Sequence, residues 1–327
     1  MVGVMWPVSF RDVLEAQRRI RPHIPATPLR RYAALDAAVG DGVRVWVKHE
    51  NHGPTNSFKA RSAMSVLTTF SEDARRRGVL GASRGNWGQG LAWAGVLLGA
   101  PVVVCVPIGN NPEKNEAMRG FGAEVVEEGL DYDESVQVAL RILRERGLTM
   151  VHATNEPLVL AGAATLTLEI LEERPEIEAI VIAVGGGSQA VGALTVVRTV
   201  APHVRVYGVQ AERASAIHDS WHAGRVVTRD SADTFADGLA TRQPYELTFP
   251  ALQEGLSGFI TVTEAEIAQA VRVLLSTTHN LAEGAGAAGL AGALRLAGDL
   301  TGKDVAVIIS GGNMDAETLR RVMTRQL

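Results

Sequence analysis

The sequence predicts an α/β protein built on two parallel sheets that share a cleft. Short runs that are apolar on both faces recur along the chain, as in strands buried between two layers of helices. Stretches with apolar residues at helical spacing separate these runs, which gives the βαβ alternation of a parallel sheet. The 327 residues are many for one doubly wound sheet, so we expect two sheets, although no linker marks a boundary.

The elements follow in order along the chain. A helix over Phe10 to Arg21 opens it, and Thr27-Pro28-Leu29 precedes the first strand. Strands are predicted at Val43 to His49, Pro101 to Val106, Met150 to Ala153, Ala179 to Val184, Val204 to Val209 and Val305 to Ser310. Helices are predicted at Asn86 to Leu98, Pro112 to Phe121, Asp133 to Arg146 and Glu266 to Leu275, with two more that begin near Gln189 and Asp315.

Composition excludes several classes of function. A net charge of −4, from 32 basic and 36 acidic residues, offers no cationic excess for a nucleic acid. No apolar run approaches the roughly 20 residues of a membrane span, and Met1 to Phe10 lack the pattern of a signal peptide. Cys105 is the only cysteine and lies in an apolar run, which predicts a buried thiol. We therefore expect a soluble, cytoplasmic protein.

Lys59 stands at the start of a predicted helix, directly after the polar segment Pro54-Thr55-Asn56-Ser57-Phe58. The partial positive charge at a helix N-terminus disfavours an ammonium group, which lowers the pKa of the lysine and leaves free amine for imine chemistry. The alternative is a solvated lysine in a helix that Asn56 or Ser57 caps.

A glycine loop, Gly185-Gly186-Gly187-Ser188, lies between a predicted strand and a predicted helix. Backbone N–H groups that converge there, without side chains in the way, suit a phosphate. The alternative is a dinucleotide loop, because Gly185-x-Gly187-x-x-Ala190 fits the loose Rossmann pattern. That pattern expects a carboxylate for the ribose hydroxyls after the next strand, where this chain has Gln210. A phosphate that is not part of a dinucleotide is therefore favoured.

Two further polar loops lie at the ends of predicted elements and could bind a ligand in the same way. Ser310-Gly311-Gly312-Asn313 comes at the carboxyl end of a predicted strand, and Ser83-Arg84-Gly85-Asn86-Trp87 opens the helix that runs to Leu98. A glycine turn and a helix cap would explain the two loops without any ligand.

Together with Asp237-Gly238-Leu239-Ala240 and Glu283-Gly284-Ala285-Gly286-Ala287, these segments spread over almost the whole chain. In their order they resemble the signatures of the fold-type II pyridoxal phosphate enzymes, specifically the serine/threonine dehydratase and serine racemase branch. The lysine signature matches from Lys48-His49-Glu50 onward, except that Asn56 and Ser62 stand where the family usually has glycine. Asparagine tolerates the backbone angles that glycine adopts.

The resemblance implies a fold like that of tryptophan synthase β, with two three-layer domains and a cofactor cleft between them. Residues 1–52 and 152–327 would form a large cofactor-binding domain, and residues 53–151 a small one. The protein would be a homodimer.

The resemblance also implies roles around pyridoxal 5'-phosphate. Lys59 would hold the cofactor as a Schiff base and would be the catalytic residue at Cα. Ser310 would hydrogen-bond the pyridine nitrogen, which favours elimination over transamination because a hydroxyl cannot stabilise a pyridinium. The other cofactor-binding residues would be Phe58, Asn86 at the ring hydroxyl, Gly185, Gly186, Gly187, Ser188, Gly238 and Glu283. The substrate would be bound by Ser83, Arg84, Gly85, Asn86 and Trp87.

Arg84 departs from the family at the position of the serine that acts as second acid/base in serine racemases. A guanidinium stays protonated, so racemisation is disfavoured. Arg84 could bind a second substrate carboxylate, as in 3-hydroxyaspartate, could stack with Trp87 and a substrate ring, as in phenylserine, or could face outward without a role.

The chain also departs from relatives that bind a divalent cation through a glutamate and an aspartate. Gln210 and Ala216 stand at those positions. Neither offers the anionic oxygen that hard cations prefer, so we predict no metal.

These residues predict a pyridoxal phosphate-dependent dehydratase, or ammonia-lyase, of amino-acid degradation. It would convert a 3-hydroxy-α-amino acid to a 2-oxo acid and ammonia, and serine, threonine, 3-hydroxyaspartate and phenylserine all fit the motifs. The alternatives are an amino-acid racemase, disfavoured by Arg84, a nicotinamide-dependent dehydrogenase, disfavoured by Gln210, and a β-replacement synthase, whose lysine has other neighbours. A non-catalytic ligand-binding protein would lack cofactor absorbance and turnover.

Overall fold

The computed structural model describes residues 5–130 and 132–327, so the first four residues of the segment that lacks a signal-peptide pattern lie outside the described residues. The helices are α1 Phe10–Ile20, α2 Ala33–Val39, α3 Lys59–Leu67, α4 Glu72–Arg77, α5 Asn86–Leu98, α6 Pro112–Gly120, α7 Tyr132–Arg146, α8 Pro157–Glu173, α9 Ser188–Val200, α10 Ala216–Ala223, α11 Phe249–Gly255, α12 Glu264–Thr278, α13 Gly284–Arg295 and α14 Ala316–Met323. The strands are β1 Leu29–Arg31, β2 Arg44–His49, β3 Val79–Ala82, β4 Val102–Val106, β5 Glu124–Glu127, β6 Thr149–Met150, β7 Ala179–Ala183, β8 Arg205–Ala211, β9 Gly258–Val262 and β10 Asp304–Ile309.

The strands form two sheets, as the sequence predicts. The larger has the order β1-β2-β10-β7-β8-β9, and the smaller has the order β5-β4-β3-β6. Every neighbouring pair is parallel except β1 with β2, which is antiparallel at the edge of the larger sheet. The predicted α/β class is confirmed. All four strands of the smaller sheet lie inside the range predicted for the small domain, whose boundaries remain a prediction.

The buried strands explain why the sequence pattern is apolar on both faces. All five residues of β4 are buried, because helices cover both sides of the smaller sheet. Cys105 within it is fully buried, as predicted, and burial raises the pKa of its thiol to about 11. No helix among the residues that the structure describes is long and apolar enough to cross a membrane.

The strand predicted from Met150 to Ala153 is wrong in its extent, since the observed strand β6 is only Thr149–Met150. The chain turns after it because the ring Nδ1 of His152 accepts hydrogen bonds from the backbone N–H groups of Thr154, at 3.0 Å, and Asn155, at 2.8 Å. That turn directs the carbonyl of Ala153 into the interior.

Several elements were not predicted. The strands β1, β3, β5 and β9 are short or carry polar residues, so their patterns are weak. Helix α8 was missed because most of its surface is buried, which leaves no polar face to reveal a helical period.

A buried ion cluster, formed by Lys48, Glu50, Arg61 and Glu169, ties β2, α3 and α8 together. Arg61 donates Nε to Glu50 Oε2 at 2.8 Å and Nη1 to Glu169 Oε1 at 2.6 Å, and Lys48 Nζ lies 2.6 Å from Glu169 Oε2. Lys48, Glu50 and Arg61 are at most 1% exposed. Burial alone would raise the pKa of Glu50, but the charge of Arg61 holds it below its ordinary value. The cluster fixes the start of α3, where Lys59 lies.

Candidate active site

One cleft between the two sheets is lined by every residue for which the sequence predicts a cofactor or substrate contact. The loops reach it from the carboxyl ends of parallel strands, which meet at one edge of each sheet. The cleft is also lined by residues that were not predicted: Lys114, Tyr132, Thr154, Gln189, Asp237, Thr241 and Tyr245. The predicted residues are therefore brought together, while their individual roles stay predictions.

Lys59 is the first residue of α3 and is partly buried. Its Nζ donates to the carbonyl of Ala153 at 3.1 Å and lies 4.9 Å from the ring centroid of Phe58 and 5.9 Å from that of Trp87. Burial lowers the pKa of Lys59 to about 8. The helix start was the expected cause of such a shift, but the cause in the structure is removal of the amine from water.

The chain has four lysines, and their surroundings differ. Lys48 belongs to the buried ion cluster, Lys114 pairs with Asp237, and Lys303 donates to the carbonyl of Asp299 at the surface. Lys59 is the lysine of the cleft without an ion pair to any described carboxylate. A nucleophilic amine requires the absence of such a partner, because an ion pair holds the proton on the nitrogen.

Backbone hydrogen bonds hold the lysine segment against the loop that follows β10. The N–H of Phe58 donates to the carbonyl of Ser310 at 3.0 Å, and the N–H of Gly312 donates to the carbonyl of Asn56 at 2.9 Å. Asn56 has a φ of 51°, in the left-handed region that asparagine tolerates. Neither Asn56 nor Ser57 caps α3, whose N-cap residue is Phe58. Lys59 and Ser310 are thus fixed beside each other.

The glycine loop forms a cradle that side chains would fill. A Cβ atom at Gly185 would collide with the backbone carbonyl of Gly238, and one at Gly186 would lie 2.5 Å from Thr154 Oγ1. Gly187 has a φ of 94° and precedes Ser188, the first residue of α9. The Nε2 of Gln189 is buried and has no hydrogen-bond partner among the described residues. Backbone N–H groups at a helix start and an unpaired buried donor fit a phosphate.

The loop before α5 is shaped by Ser83, whose hydroxyl accepts the N–H groups of Gly85 at 3.0 Å and Gly88 at 2.9 Å. Its neighbour Arg84 is exposed, and only its backbone carbonyl is anchored, by Asn110 Nδ2 at 3.3 Å. Trp87 is 4% exposed. The cation over its ring is Lys59, so the stacking of Arg84 on Trp87 that the sequence allowed is not among the described contacts.

A polar chain crosses the cleft from α5 to the larger sheet. Asn86 Nδ2 donates to Glu283 Oε1 at 2.5 Å, and Asn313 Nδ2 donates to Asn86 Oδ1 at 2.7 Å. Glu283 is the N-cap residue of α13 but makes no side-chain cap hydrogen bond to that helix. Burial raises the pKa of Glu283 to about 7, against the opposing charge of Lys114 and the hydrogen bond from Asn86. Both the protonated and the ionised form of this carboxyl group are therefore present near neutral pH.

Lys114 and Asp237 form a second bridge across the cleft, between α6 and the segment that carries Gly238. The aliphatic stem of Lys114 lies against Gly85, where an added Cβ would be 3.1 Å from Lys114 Cδ. A lysine in the first turn of a surface helix gives no sequence signal for such a role, and so it was missed.

Gln210, at the first of the two positions compared with metal-binding relatives, is fully buried. Its Oε1 accepts the N–H of His218 at 3.0 Å, and its Nε2 donates to Thr241 Oγ1 at 3.2 Å. Ala216 is buried at the start of α10. The amide thus links the end of β8 to the segment beside Gly238, and the absence of a metal stays a prediction.

Comparison with known proteins places these features in context. A sequence model of the family described as "Pyridoxal-phosphate dependent enzyme" matches residues 20–311. The L-threonine ammonia-lyase of Thermotoga maritima is 37% identical over 320 residues, which span 98% of this chain and 79% of that relative. The solved structure of a threonine deaminase from T.th. has a TM-score of 0.88 at 35% identity, covering 94% of this chain and 99% of that one. Maize serine racemase has a TM-score of 0.92 at 27% identity, covering 98% of both chains.

Proposed function

Because the chain belongs to the family of pyridoxal-phosphate dependent enzymes, we propose that it is a dehydratase of 3-hydroxy-α-amino acids. The observation that carries the proposal is Lys59, a partly buried amine without an acidic partner, held beside Ser310 in the cleft that the glycine loop also lines. The names of its relatives support the same reaction, since the matches include an L-threonine ammonia-lyase and a threonine deaminase.

The cofactor would be held by the residues that already converge on the cleft. The backbone of Gly185, Gly186 and Gly187 with the hydroxyl of Ser188 would bind its phosphate, Ser310 its ring nitrogen, and Lys59 its carbonyl carbon. Phe58, Asn86, Gly238 and Glu283 would surround the ring. When bound, pyridoxal phosphate withdraws electrons from Cα of the substrate and makes its proton acidic.

The chain's own residues supply the proton chemistry. Lys59 would remove the Cα proton of the bound substrate, and the low pKa that burial gives it keeps the amine available near neutral pH. The substrate loses this proton and the Cβ hydroxide as water. The enamine that remains takes up one water molecule and yields a 2-oxo acid and ammonium, so the atoms balance without an oxidant or reductant.

Racemisation is the second candidate, because maize serine racemase shares the fold at a TM-score of 0.92. It would require a proton donor on the face of Cα opposite Lys59. Arg84 stands in the loop where serine racemases carry that donor, and a guanidinium does not release its proton at ordinary pH. Dehydration is therefore favoured.

The proposed function is tested with purified holoenzyme and a panel of hydroxyamino acids. The protein should be yellow and should release a 2-oxo acid and ammonia in equal amounts from at least one 3-hydroxy amino acid. Chiral analysis of the remaining substrate should show that inversion at Cα is slower than release of the 2-oxo acid. A colourless protein, or inversion without keto acid, would contradict the dehydratase.

We expect Gly185→Ala to weaken cofactor binding by at least about tenfold, because the new methyl group would displace the Gly238 carbonyl beside the cofactor site. The measurement is an absorbance titration of cofactor-free protein with pyridoxal phosphate. Gly298→Ala is the matched control, since a Cβ there meets no atom within 4 Å. Equal affinities for the two variants would show that the cradle is not the phosphate site.

The pKa of about 8 for Lys59 predicts how the cofactor-free protein reacts with pyridoxal phosphate. Free amine accumulates as the pH rises through about 8, rather than through the ordinary 10.5, so the rate of combination should reach its half-maximum near pH 8. Stopped-flow absorbance between about pH 7 and 10 measures this, with Lys59→Ala as the background. A midpoint above about pH 10 would mean that Lys59 is not desolvated.

The remaining expectations belong to the same proposal. The partner is a small amino-acid substrate, and the enzyme is a homodimer of the cytoplasm that does not bind nucleic acid. Sedimentation analysis of the holoenzyme tests the dimer.

A further inference from the structure

A second cavity adjoins the cofactor cleft. The two share a wall formed by Arg84, Lys114, Asp237, Glu283 and Ala285, and the second cavity extends from this wall toward Arg321. Its lining is mainly polar, with Asn110, Asn111, Asn313 and Thr318 among the contributors. A substituent on the substrate that passes this wall would therefore enter a polar space.

The carboxylates of the second cavity already have partners. Asp237 pairs with Lys114, Glu283 accepts a hydrogen bond from Asn86, and Asp315 accepts the N–H of Thr318 at 2.8 Å as the N-cap of α14. Among the described residues of the cavity, each of these three carboxylates thus already accepts a hydrogen bond or an ion pair, and none of them contacts Arg84 or Arg321.

Two guanidinium groups remain without such partners. The side chains of Arg84 and Arg321 make no hydrogen bond or ion pair with any residue that the structure describes, although both line the second cavity. Arg84 also lines the cofactor cleft, whereas Arg321 does not. The junction of the two cavities therefore presents to the substrate one guanidinium group, that of Arg84, which no described carboxylate contacts. The hydroxymethyl or hydroxyethyl side chain of serine or threonine would leave it unpaired.

We propose that the substrate carries a second carboxylate on Cβ, as 3-hydroxyaspartate does, and that Arg84 binds this carboxylate at the junction of the two cavities. The planar fork of the guanidinium suits bidentate binding of a carboxylate. Phenylserine fits less well, because its ring would enter a space whose walls offer few apolar contacts beyond Phe235 and Met314.

This inference rests on the proposed dehydratase and deepens it. The reaction keeps the same balance: the Cα proton and the Cβ hydroxide leave as water, and hydrolysis of the enamine gives ammonium and a 2-oxo dicarboxylate. The second carboxylate is not altered. Arg84 would thus be a specificity-determining residue that takes no part in proton transfer.

The first experiment compares holoenzyme variants on 3-hydroxyaspartate and threonine by release of 2-oxo acid. The wild type should prefer 3-hydroxyaspartate, and Arg84→Gln should lower the ratio of the two kcat/KM values by about 100-fold. Arg84→Lys, which keeps the charge without the fork, should recover part of the ratio. Arg321→Gln is the matched control and should change the ratio less than about threefold, since that side chain does not reach the cofactor cleft.

The second experiment separates binding from elimination by using aspartate and alanine, which lack the leaving hydroxyl. Their affinities are read from the change in the visible absorption of the bound cofactor. The wild type should favour aspartate, and Arg84→Gln should lower the aspartate-to-alanine affinity ratio by about 100-fold.

Each outcome decides between the two proposals. If aspartate binding depends on Arg84 but no hydroxyamino acid yields a 2-oxo acid, the dicarboxylate site stands and the dehydratase fails. If threonine is dehydrated and the ratios do not respond to Arg84→Gln, the dehydratase stands and the dicarboxylate site fails. If Arg84→Gln lowers kcat/KM equally for both amino acids, Arg84 binds the α-carboxylate. If Arg321→Gln lowers the ratio as much as Arg84→Gln does, Arg84 acts only through its positive charge and does not bind the second carboxylate directly. Either result would overturn the inference.

Discussion

Lys59→Ala is expected to abolish release of 2-oxo acid, with kcat reduced by a factor on the order of 10³ or more. The variant loses both the group that holds the cofactor carbon and the base that removes the Cα proton. The other lysine of the cleft does not replace it, because the ion pair with Asp237 holds Lys114 as an ammonium. The visible absorption of the bound cofactor should disappear together with turnover.

The attachment site itself can be mapped without relying on activity. Borohydride reduction of the holoenzyme should fix the cofactor on one lysine, and peptide mass analysis should find it on Lys59 among the four lysines of the chain. Lys303→Ala, at the surface, is the matched control and should keep both absorption and turnover. Label on Lys114, or a coloured and active Lys59→Ala, would refute the assignment.

Most of the cleft could be predicted from the sequence because its residues follow strands. In a parallel sheet the carboxyl ends of the strands share an edge, so loops that are distant along the chain meet there. Lys59, Ser83, Gly185 and Ser310 all lie beyond such strand ends, and all line the same cleft. The confirmed fold class follows from the same periodicities.

Contacts between side chains of different loops could not be predicted. Lys114 and its partner Asp237 are separated by 123 residues, and Asn86 and Glu283 by 197. The sequence assigned Asn86 and Glu283 separately to the cofactor, and their hydrogen bond to each other depends on how the two sheets face across the cleft. The lowered pKa of Lys59 could not be predicted for the same reason, because the burial that lowers it depends on residues that are distant along the sequence.

The largest feature of the structure that the sequence does not predict is the burial of the charged side chains in the buried ion cluster. Lys48, Glu50 and Arg61 belong to the segment that resembles the family signature, yet charged residues in strands and helices ordinarily face water. Their burial depends on Glu169, which lies 108 residues beyond Arg61 on α8. The packing of α8 on α3 brings Glu169 to Arg61 and so helps to bury charged groups close to Lys59.

Arg61→Ala is expected to lower the free energy of unfolding by about 3–5 kcal/mol, because it leaves Glu50 and Glu169 buried with only Lys48 to compensate them. The measurement is denaturant unfolding of the holoenzyme followed by circular dichroism. Arg76→Ala is the matched control: Arg76 pairs with Glu72 and Asp73 on the exposed surface of α4, where removal of an ion pair costs about 1 kcal/mol or less.

Arg61→Lys keeps the measurement informative if Arg61→Ala does not fold. It retains the positive charge but cannot bond Glu50 and Glu169 at once, so its stability should lie between those of the wild type and Arg61→Ala. Because Arg61 lies two residues beyond Lys59 in α3, the lysine variant should also bind pyridoxal phosphate more weakly than Arg76→Ala does. Stability of either Arg61 variant within about 1 kcal/mol of the Arg76 control would mean that the buried ion cluster does not hold α3 in place.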